Sequence, residues 1–573
     1  MQVLNTLPES SANDIVVIGA GGAGLVAALF AALAGKSVLV VERTPFVGGT
    51  TALSAGTTWV PGTHHAATVN PTDTLDDAAR YLTNAIGERT HASLRQAFLN
   101  AGPQAIHHIE SKSDVRFRPY PKHPDYISDL VGSTLNGRAL EPLPFDGRLL
   151  GDLFKLIRPP IPEFTVLGGM MVDRTDINHL LGMTTSFASL KHSVKIVLRH
   201  ASDRLGHARG TRLVMGNALV ARLLYSLSKH SQVSLALNAS IKGIIRNQNA
   251  VESVTLQQNG QLRTVQVNNG IILASGGFNR HPTLRKNLLP GIDPLWSPAA
   301  PGHTGEAHGV ARQLGAHYGQ ADITNAFWAP VSLRKRADGS TAAFPHFVMD
   351  RAKPGMLTVN QAGERFVNES TSYHLFALAM QQANQRTPSV PAYLICDTEA
   401  LSKYGLGMVR PGAKSGGRGL APFLADGYLT EGKTLDELAS KLGINAEGLK
   451  ASVNKINTYA QTGVDRDFQR GVTAYQQNIG DPTSPGKNPN LGALKQAPYY
   501  AVRLYPGDIG ASTGLATNGH AQVLGDNEQP ITGLYAVGND MHSIMGGVYT
   551  APGITIGPGL VFAYLAVQHA LSA

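Results

Sequence analysis

Short apolar runs alternate with Ala- and Leu-rich stretches near the start of the chain. Residues 15–18 and 38–41 are uninterrupted apolar runs of the kind found in buried strands. Residues 25–34 lie between them, are rich in Ala and Leu, and contain no proline, which favours a helix. This pattern predicts a strand, a turn, a helix and a second strand.

Other segments of the chain also carry clear periodicity. Apolar positions at helical spacing predict mainly helix over residues 73–110, and a further helix is predicted over residues 210–229. Four short apolar or alternating segments within residues 233–267 predict a small meander, which leads into a buried strand in "GIILASGGFN". "GLYAVGND", residues 533–540, predicts a late strand with a glycine turn. A last helix is predicted to begin near Ile554.

The turn between the first predicted strand and helix is rich in glycine. Gly19, Gly21 and Gly24 have G-x-G-x-x-G spacing, which allows a tight turn, close approach of the backbone to a pyrophosphate, and close packing of helix on strand. Glu42 ends the second strand, where a carboxylate can accept hydrogen bonds from ribose hydroxyls. Together these residues predict a dinucleotide site.

Composition and charge narrow the class of protein. The chain has 573 residues, enough for two to four domains. The formal net charge is +9, but Lys and Arg are scattered, so nucleic acid is not expected as a partner. No run approaches the roughly 18 apolar residues of a transmembrane segment. No signal pattern is seen, and Cys396 is the only cysteine, so a cytoplasmic location is expected.

The segment after Glu42 favours one cofactor. "VERTPFVGGTTALSAGTTWVPG", residues 41–62, supplies small residues and hydroxyls that let the chain pass close to a flat ring system. It resembles the flavoprotein family of fumarate reductases and 3-ketosteroid dehydrogenases, which implies FAD. No histidine stands in this loop, so the FAD is expected to be noncovalent. The expected FAD-binding residues are Gly19, Gly21, Gly22, Ala23, Gly24, Glu42, Arg43, Gly49, Thr50, Thr51, Ser54, Ala55, Gly56, Gly276, Gly538, Asn539, Ile554, Thr555 and Ile556.

Three further motifs sharpen this resemblance. "YTAPGITIGP", residues 549–558, is similar to the Y-x-x-P-G-x-T-I-G-P stretch of 3-ketosteroid Δ1-dehydrogenases. "NESTSYH", residues 368–374, is similar to their N-E-S-x-x-Y, and "HPDY", residues 123–126, to their F-P-D-Y. The likeness spans most of the chain, with a gap around residues 145–210. His123 stands where the family has an aromatic ring, which departs from a steroid-sized apolar pocket.

The resemblance implies a role for four residues. The Tyr549 hydroxyl and the Gly553 N–H would bind the oxygen of a ketone. Tyr373 would remove a proton from the neighbouring carbon with help from Tyr126, and flavin N5 would take hydride from the next carbon. Tyr120 is the alternative to Tyr126. The chemistry is sound on its own terms, because an α C–H is a poor acid until its carbonyl oxygen is stabilised.

The reaction expected from these motifs is FAD-dependent α,β-dehydrogenation of a cyclic ketone to an enone. The substrate would be an apolar ketone, either a 3-ketosteroid or a smaller cyclic ketone, with a quinone-like or protein carrier as external electron acceptor. One alternative is fumarate-reductase-like reduction of an unsaturated acid, in which Arg418 would serve the acid. Fumarate reductases have histidine and arginine near the start of the last helix, whereas this chain has the neutral "TAPG" there, which argues against a dicarboxylate substrate. A non-catalytic flavin sensor is the other alternative, and no residue spacing indicates a metal.

The expected fold class is α/β. A Rossmann-like FAD-binding domain is expected to be split in sequence, with residues 1–302 as its first part and residues 499–573 as its second. An α+β substrate domain, residues 303–498, would be inserted between them.

Overall fold

A computed structural model describes residues 1–120, 122–248, 250–320, 323–414, 416–417 and 419–572. The strands in these residues are β1 (Gln2–Leu4), β2 (Ser10–Ile18), β3 (Val38–Val41), β4 (Thr58–Trp59), β5 (Phe117–Pro119), β6 (Ala139–Pro142), β7 (Phe145–Asp146), β8 (Arg212–Leu213), β9 (Val233–Ala236), β10 (Ala239–Asn247), β11 (Ala250–Gln258), β12 (Gln261–Leu273), β13 (Ala326–Lys335), β14 (Thr341–Pro345), β15 (Met356–Val359), β16 (Ala392–Asp397), β17 (Thr430–Gly432), β18 (Tyr499–Ala511), β19 (Gln522–Leu524) and β20 (Pro530–Ala536).

The α-helices in the same residues are α1 (Gly22–Leu33), α2 (Ala66–Val69), α3 (Leu75–Ile86), α4 (Ala92–Lys112), α5 (Arg174–Leu181), α6 (Phe187–Asp203), α7 (Met215–Ser228), α8 (Pro282–Leu288), α9 (Glu306–Gln313), α10 (Tyr373–Asn384), α11 (Thr398–Tyr404), α12 (Ala421–Ala425), α13 (Leu435–Leu442), α14 (Ala446–Thr462), α15 (Ala474–Ile479) and α16 (Ile556–Ser572). None of them is long and apolar enough to cross a membrane.

The first sheet is mainly parallel and carries the predicted dinucleotide unit. Its strand order is β1-β9-β3-β2-β12-β11-β20-β19, and β10 pairs with β11. β2 runs parallel to both β3 and β12, with Ile15 beside Val38 and Gly270. Strands covered on both faces need apolar residues at successive positions, which is why the runs in β2 and β3 are uninterrupted.

Helix α1 follows β2 and is buried on most of its surface. Its sequence is largely Ala and Leu, and the small side chains let it pack closely against α7 and α16. The predicted helix over residues 73–110 is two helices, α3 and α4. The predicted meander is wrong for its first segment, because β9 pairs in parallel with β1 and β3, and only β10, β11 and β12 form an antiparallel run. The expected buried strand is the second half of β12 rather than a separate element.

The second sheet is antiparallel. Its strand order is β14-β13-β18-β16-β15, and β17 pairs with one end of β18. Two apolar clusters lie beside it, one reached by α10 and α11 and the other by α13 and α14. The long strand β18 is central, because β13 and β16 both pair with it.

The division into domains stays a prediction, and the sheets suggest where its limits fall. β18 (Tyr499–Ala511) pairs with strands of the second sheet, while α9 packs on β10 of the first. We therefore propose that the inserted substrate domain spans about residues 325–511. Residues 145–210, outside the family motifs, contain α5 and α6, which pack on each other.

Candidate active site

A cavity of about 360 Å³ lies where the strands β2 and β3 end. One end is bordered by the glycine turn after β2, by Glu42 and by residues 49–57. The other end is bordered by several aromatic side chains and by the segment that leads into α16. In open α/β sheets ligands bind outside the carboxyl ends of the strands, so this is the expected place for a cofactor.

The three glycines of the turn play different structural parts. A Cβ atom on Gly19 (φ +112°) would lie 2.3 Å from the Ala274 carbonyl oxygen, and one on Gly24 would lie 1.9 Å from the Gly19 carbonyl oxygen. A Cβ atom on Gly21 would meet no atom within 4 Å, because Gly21 borders the cavity. Gly19 and Gly24 therefore hold helix and strand together, and Gly21 leaves room for a ligand.

Glu42 is fixed in place at the edge of the cavity. Its Oε2 accepts a hydrogen bond from the Ala20 N–H at 3.0 Å, and its Oε1 accepts from the N–H and hydroxyl of Thr44 at 2.9 and 2.7 Å. Each carboxylate oxygen has more than one acceptor position. Glu42 thus keeps acceptor capacity for a ribose hydroxyl.

Two buried polar residues that the motifs did not identify also border this end of the cavity. Arg158 donates to the Thr44 hydroxyl at 2.7 Å, but its Nε has no partner among the described residues. The His303 Nδ1 is likewise unpartnered, and burial lowers the pKa of His303 to about 4. A buried guanidinium with an unused donor fits a pyrophosphate, so these residues fit a bound dinucleotide. Arg158 and His303 are distant in sequence from the glycine turn, and only the fold brings them to this end of the cavity.

The other end of the cavity holds a cluster of phenols. The Tyr126 hydroxyl donates to the Tyr373 hydroxyl at 3.2 Å. The Tyr549 ring stacks on Tyr126 with centroids 5.7 Å apart and meets Tyr373 edge-on at 5.2 Å. The Tyr126 N–H donates to the Thr550 carbonyl at 2.8 Å, which ties "HPDY" to "YTAPG". The three motif tyrosines therefore share one site.

Burial sets the protonation of these phenols. It raises the pKa of Tyr126 and of Tyr373 well above the ordinary value, and it also raises the pKa of Tyr549. At neutral pH all three are neutral hydroxyls that can donate hydrogen bonds. A phenol in this cluster can act as a base only as its phenolate, which a nearby positive charge or hydrogen-bond donor stabilises.

A buried cation lies on the far side of the phenol cluster. The Tyr475 ring packs on Tyr126 at 4.7 Å. Arg351 is fully buried and donates to the carbonyl oxygens of Glu369 and Thr371, both at 2.6 Å. Burial raises the pKa of Tyr475 to about 12, although the Arg351 charge acts in the opposite direction. No sequence motif singled out Tyr475 or Arg351.

Gly553 stands at a turn that no other residue fits. Its φ is +90°, and a Cβ atom would lie 2.4 Å from the Thr57 carbonyl oxygen. Its own carbonyl accepts from the N–H groups of Trp59 at 3.2 Å and Gly557 at 2.9 Å. No described residue accepts a hydrogen bond from the Gly553 N–H. Because Gly553 and Tyr549 both border the cavity, two donors face the same space.

Aromatic rings form the outer wall of the phenol end. Tyr120 and His123 both border the cavity, and their rings lie 4.5 Å apart. Burial, together with the charge of Arg174, lowers the pKa of His123 to about 3, so His123 is a neutral part of the wall. The Arg174 guanidinium lies over the outer face of Tyr120 at 4.9 Å. The hydrogen bond to Tyr373 comes from Tyr126 rather than from Tyr120.

Two of the motif-derived residues do not border the cavity. Gly24 packs against the Gly19 backbone, and the Ile554 side chain is buried in the core. Arg418 lies outside the described residues. The predicted residues that do border the cavity are Gly19, Gly21, Gly22, Ala23, Glu42, Arg43, Gly49, Thr50, Thr51, Ser54, Ala55, Gly56, Tyr126, Gly276, Tyr373, Gly538, Asn539, Tyr549, Gly553, Thr555 and Ile556.

The parallel sheet and the glycine-lined cavity define a dinucleotide-binding α/β protein. Residues 14–556 match the family described as "FAD binding domain". The chain belongs to this family, and FAD is its cofactor.

Relatives of known activity match along nearly the whole chain. The 4-oxocyclohex-2-ene-1-carboxylate 5-dehydrogenase of Sinomonas cyclohexanicum is 35% identical, over 97% of this chain and 93% of the relative. The 3-oxosteroid 1-dehydrogenase of Mycolicibacterium smegmatis is 33% identical, over 96% of both. The expected family and the expected FAD-dependent oxidoreductase are confirmed.

Solved structures confirm the α/β fold. The 3-ketosteroid Δ1-dehydrogenase from Sterolibacterium denitrificans, in complex with 1,4-androstadiene-3,17-dione, superposes with a TM-score of 0.90 and 32% identity, covering 99% of this chain and 100% of that one. A flavocytochrome c3 fumarate reductase in its open conformation gives a TM-score of 0.63 at 19% identity, covering 98% of this chain and 78% of that one. The second likeness concerns the fold alone.

Proposed function

We propose that this protein dehydrogenates a cyclic ketone between its α and β carbons, giving an enone. The observation that carries the proposal is the meeting of Tyr126, Tyr373 and Tyr549 with Gly553 at one end of the FAD cavity. The names of the relatives, which include 3-oxosteroid and oxocyclohexanecarboxylate dehydrogenases, support this class of substrate.

Two donors polarise the ketone in this proposal. The Tyr549 hydroxyl and the Gly553 N–H bind the carbonyl oxygen and stabilise the negative charge that develops on it. One such donor contributes about 2.7–4 kcal/mol to transition-state stabilisation. The neighbouring C–H thereby becomes acidic enough for a phenol-based base.

The small fraction of Tyr373 that is ionised to the phenolate takes the proton from the α carbon and becomes the neutral phenol. The hydrogen bond from Tyr126 spreads the negative charge of the phenolate over two oxygens. Tyr475 packs on Tyr126 and interacts with the Arg351 cation, whose positive charge favours that anion. Tyr475 and Arg351 are thus positioning residues for the base. A positioned base contributes roughly 10²–10⁴-fold to the rate.

Bound FAD would supply the acceptor for the hydride that leaves the β carbon. Arg158, His303 and the glycine turn would hold its pyrophosphate, and Glu42 its ribose. We propose noncovalent binding, because the cavity-lining segment of residues 41–62 contains neither histidine nor cysteine. The external acceptor would be a quinone-like molecule or a protein carrier, and a cytoplasmic location is proposed from the single cysteine.

The walls of the cavity favour a ketone over a dicarboxylate. Among the described residues that border it, the arginines are Arg43 and Arg158, both at the ribose and phosphate end. The phenol end is bordered instead by apolar side chains such as Phe327, Phe347 and Val348. Two carboxylates buried there would find no arginine or lysine among the described residues that border that end, which is unfavourable.

Anaerobic mixing of the FAD-loaded protein with candidate substrates tests the proposal. We expect 4-androstene-3,17-dione or 4-oxocyclohexanecarboxylate to bleach the flavin absorption, and Tyr549→Phe to slow the bleaching about 10²–10³-fold with FAD still bound. Tyr535→Phe is the matched control, because the Tyr535 hydroxyl contacts His569 outside the cavity.

Each other result would overturn a definite part of the proposal. Bleaching by succinate alone would indicate the dicarboxylate chemistry, and bleaching by none of the three compounds would indicate a sensor. Equal rates for the Tyr549 and Tyr535 variants would remove Tyr549 from the mechanism.

A further inference from the structure

A cluster of nitrogen and oxygen donors lies outside the FAD cavity. The Nε2 atoms of His65 and His64 lie 2.7 and 3.2 Å from the same oxygen, Oε2 of Glu110. The three donor atoms all lie within 4.8 Å of one another. His107 is three residues before Glu110 on α4, and its ring centroid is 6.0 Å from that of His64. Positions i and i+3 of a helix share a face.

The donor set has the chemistry of a transition-metal site. Imidazole nitrogen and carboxylate oxygen bind Zn²⁺ at about 2.0–2.2 Å, usually with four ligands in a tetrahedron. Such bonds place neighbouring donor atoms about 3.3 Å apart, close to the separation between His64 and Glu110. Mg²⁺ and Ca²⁺ prefer oxygen donors, so a cluster rich in imidazole disfavours them.

The surroundings support a bound ion in two ways. The second oxygen of Glu110 accepts the Phe117 N–H at 2.8 Å, which fixes the carboxylate as outer partners of metal ligands do. The His64 side chain is half exposed and borders an open groove that is also lined by His107 and Ser111. An ion therefore has a route from solvent to the donors.

We propose that His64, His65 and Glu110, with His107 as fourth ligand, form a binding site for a Zn²⁺-class divalent ion. The site joins the segment that follows β4 to helix α4. β4 in turn contacts Gly553 of the candidate active site, since the Trp59 N–H donates to the Gly553 carbonyl. The ion is a structural clip that holds this segment in place, and the inference does not depend on the proposed reaction.

Zinc titration of the chelator-treated, FAD-loaded protein tests the site. We expect one Zn²⁺ per chain by calorimetry and a rise in thermal midpoint on adding Zn²⁺. Mg²⁺ is expected to give neither response. His64→Ala and Glu110→Gln should each weaken Zn²⁺ binding by at least about tenfold. His317→Ala is the matched control, because His317 is an exposed histidine that pairs with Asp526.

Retention of FAD checks that each variant is folded. If Glu110→Gln fails this check, His64→Ala still decides, because the exposed His64 carries little of the core packing. Zinc affinity equal in His64→Ala and His317→Ala would overturn the site. An equal response to Mg²⁺ would overturn its assignment to the Zn²⁺ class.

Discussion

At the scale of single residues, the environment of a phenol decides whether it acts as donor or as base. In the proposed reaction Tyr549 needs only to donate a hydrogen bond, and a raised pKa keeps its proton in place. In the same proposal Tyr373 has to lose a proton, which burial opposes. Once Tyr373 is ionised in that reaction, the Tyr126 hydroxyl would donate to its oxygen, and the buried Arg351 lies beyond Tyr475 on the far side of Tyr126.

This difference predicts how the rate of flavin bleaching by the ketone depends on pH. The pKa of Tyr373 lies above the ordinary value of about 10. The phenolate fraction, and with it the rate, should therefore rise about tenfold per pH unit through the neutral range. Tyr475→Phe keeps the ring on Tyr126 but removes the hydroxyl beside Arg351, so it should lower the rate and move its rise to higher pH. Stopped-flow measurements over a range of pH check this.

Tyr535→Phe again serves as the control for that series. A Tyr475→Phe profile that coincides with the parent profile would mean that Tyr475 only packs against Tyr126. A flat profile in the parent protein would remove a phenol from the role of base.

At the scale of elements, the turn from β2 into α1 combines two demands on glycine. Gly24 lets the helix pack on the Gly19 carbonyl, which is a requirement of folding. Gly21 opens onto the cavity, which leaves space for the cofactor. The spacing of the motif does not distinguish Gly21 from Gly24. Only their contacts in the fold show that one packs against backbone and the other faces the cavity.

A pair of substitutions tests that separation. Gly24→Ala places a methyl group 1.9 Å from a carbonyl oxygen and should lower the thermal midpoint of the FAD-free protein. Gly21→Ala (φ −72°) should leave that midpoint nearly unchanged, because its methyl group meets no protein atom, yet should weaken FAD binding. Differential scanning fluorimetry and FAD titration measure the two effects. Equal loss of stability in both variants would contradict this division.

At the scale of the whole molecule, several ionisable groups are buried in their neutral state. Burial lowers the pKa of His123 to about 3 and of His303 and His374 to about 4. The unfolded chain binds protons at these positions below about pH 6.5, whereas the folded chain does not. Asp125 acts in the opposite sense, because burial raises its pKa to about 6.

Folding stability should therefore fall as the pH drops from 7 to 5. Near pH 5 the unfolded state binds about two more protons than the folded state at these four positions, and each proton contributes about 1.4 kcal/mol per pH unit. His123→Phe removes one of the three histidines and should make the fall shallower. Urea unfolding midpoints at pH 7, 6 and 5 measure this pH dependence of folding stability in both proteins. An unchanged pH dependence in His123→Phe would show that this histidine is protonated in the folded protein.

The sequence predicted the first βαβ unit well, because both strands are buried on two faces and their pattern has no interruption. The prediction was less accurate for strands whose pairing partners are distant in the sequence. The sequence pattern predicted β12 as two separate segments. In the fold it is one continuous strand, because it pairs with β2, β11 and β20. The catalytic and FAD-binding roles of the motif residues stay predictions, although most of those residues border one cavity.

The sequence by itself determined the family, the FAD cofactor and the α/β class, because glycine spacing and short motifs are local and survive without knowledge of contacts. Only the tertiary structure decided which buried groups lie beside the motif residues. Arg351 near the phenols, Arg158 and His303 at the cofactor end, and the His64 and Glu110 pair come from distant segments. No local pattern marks such residues, because their environment is created by packing.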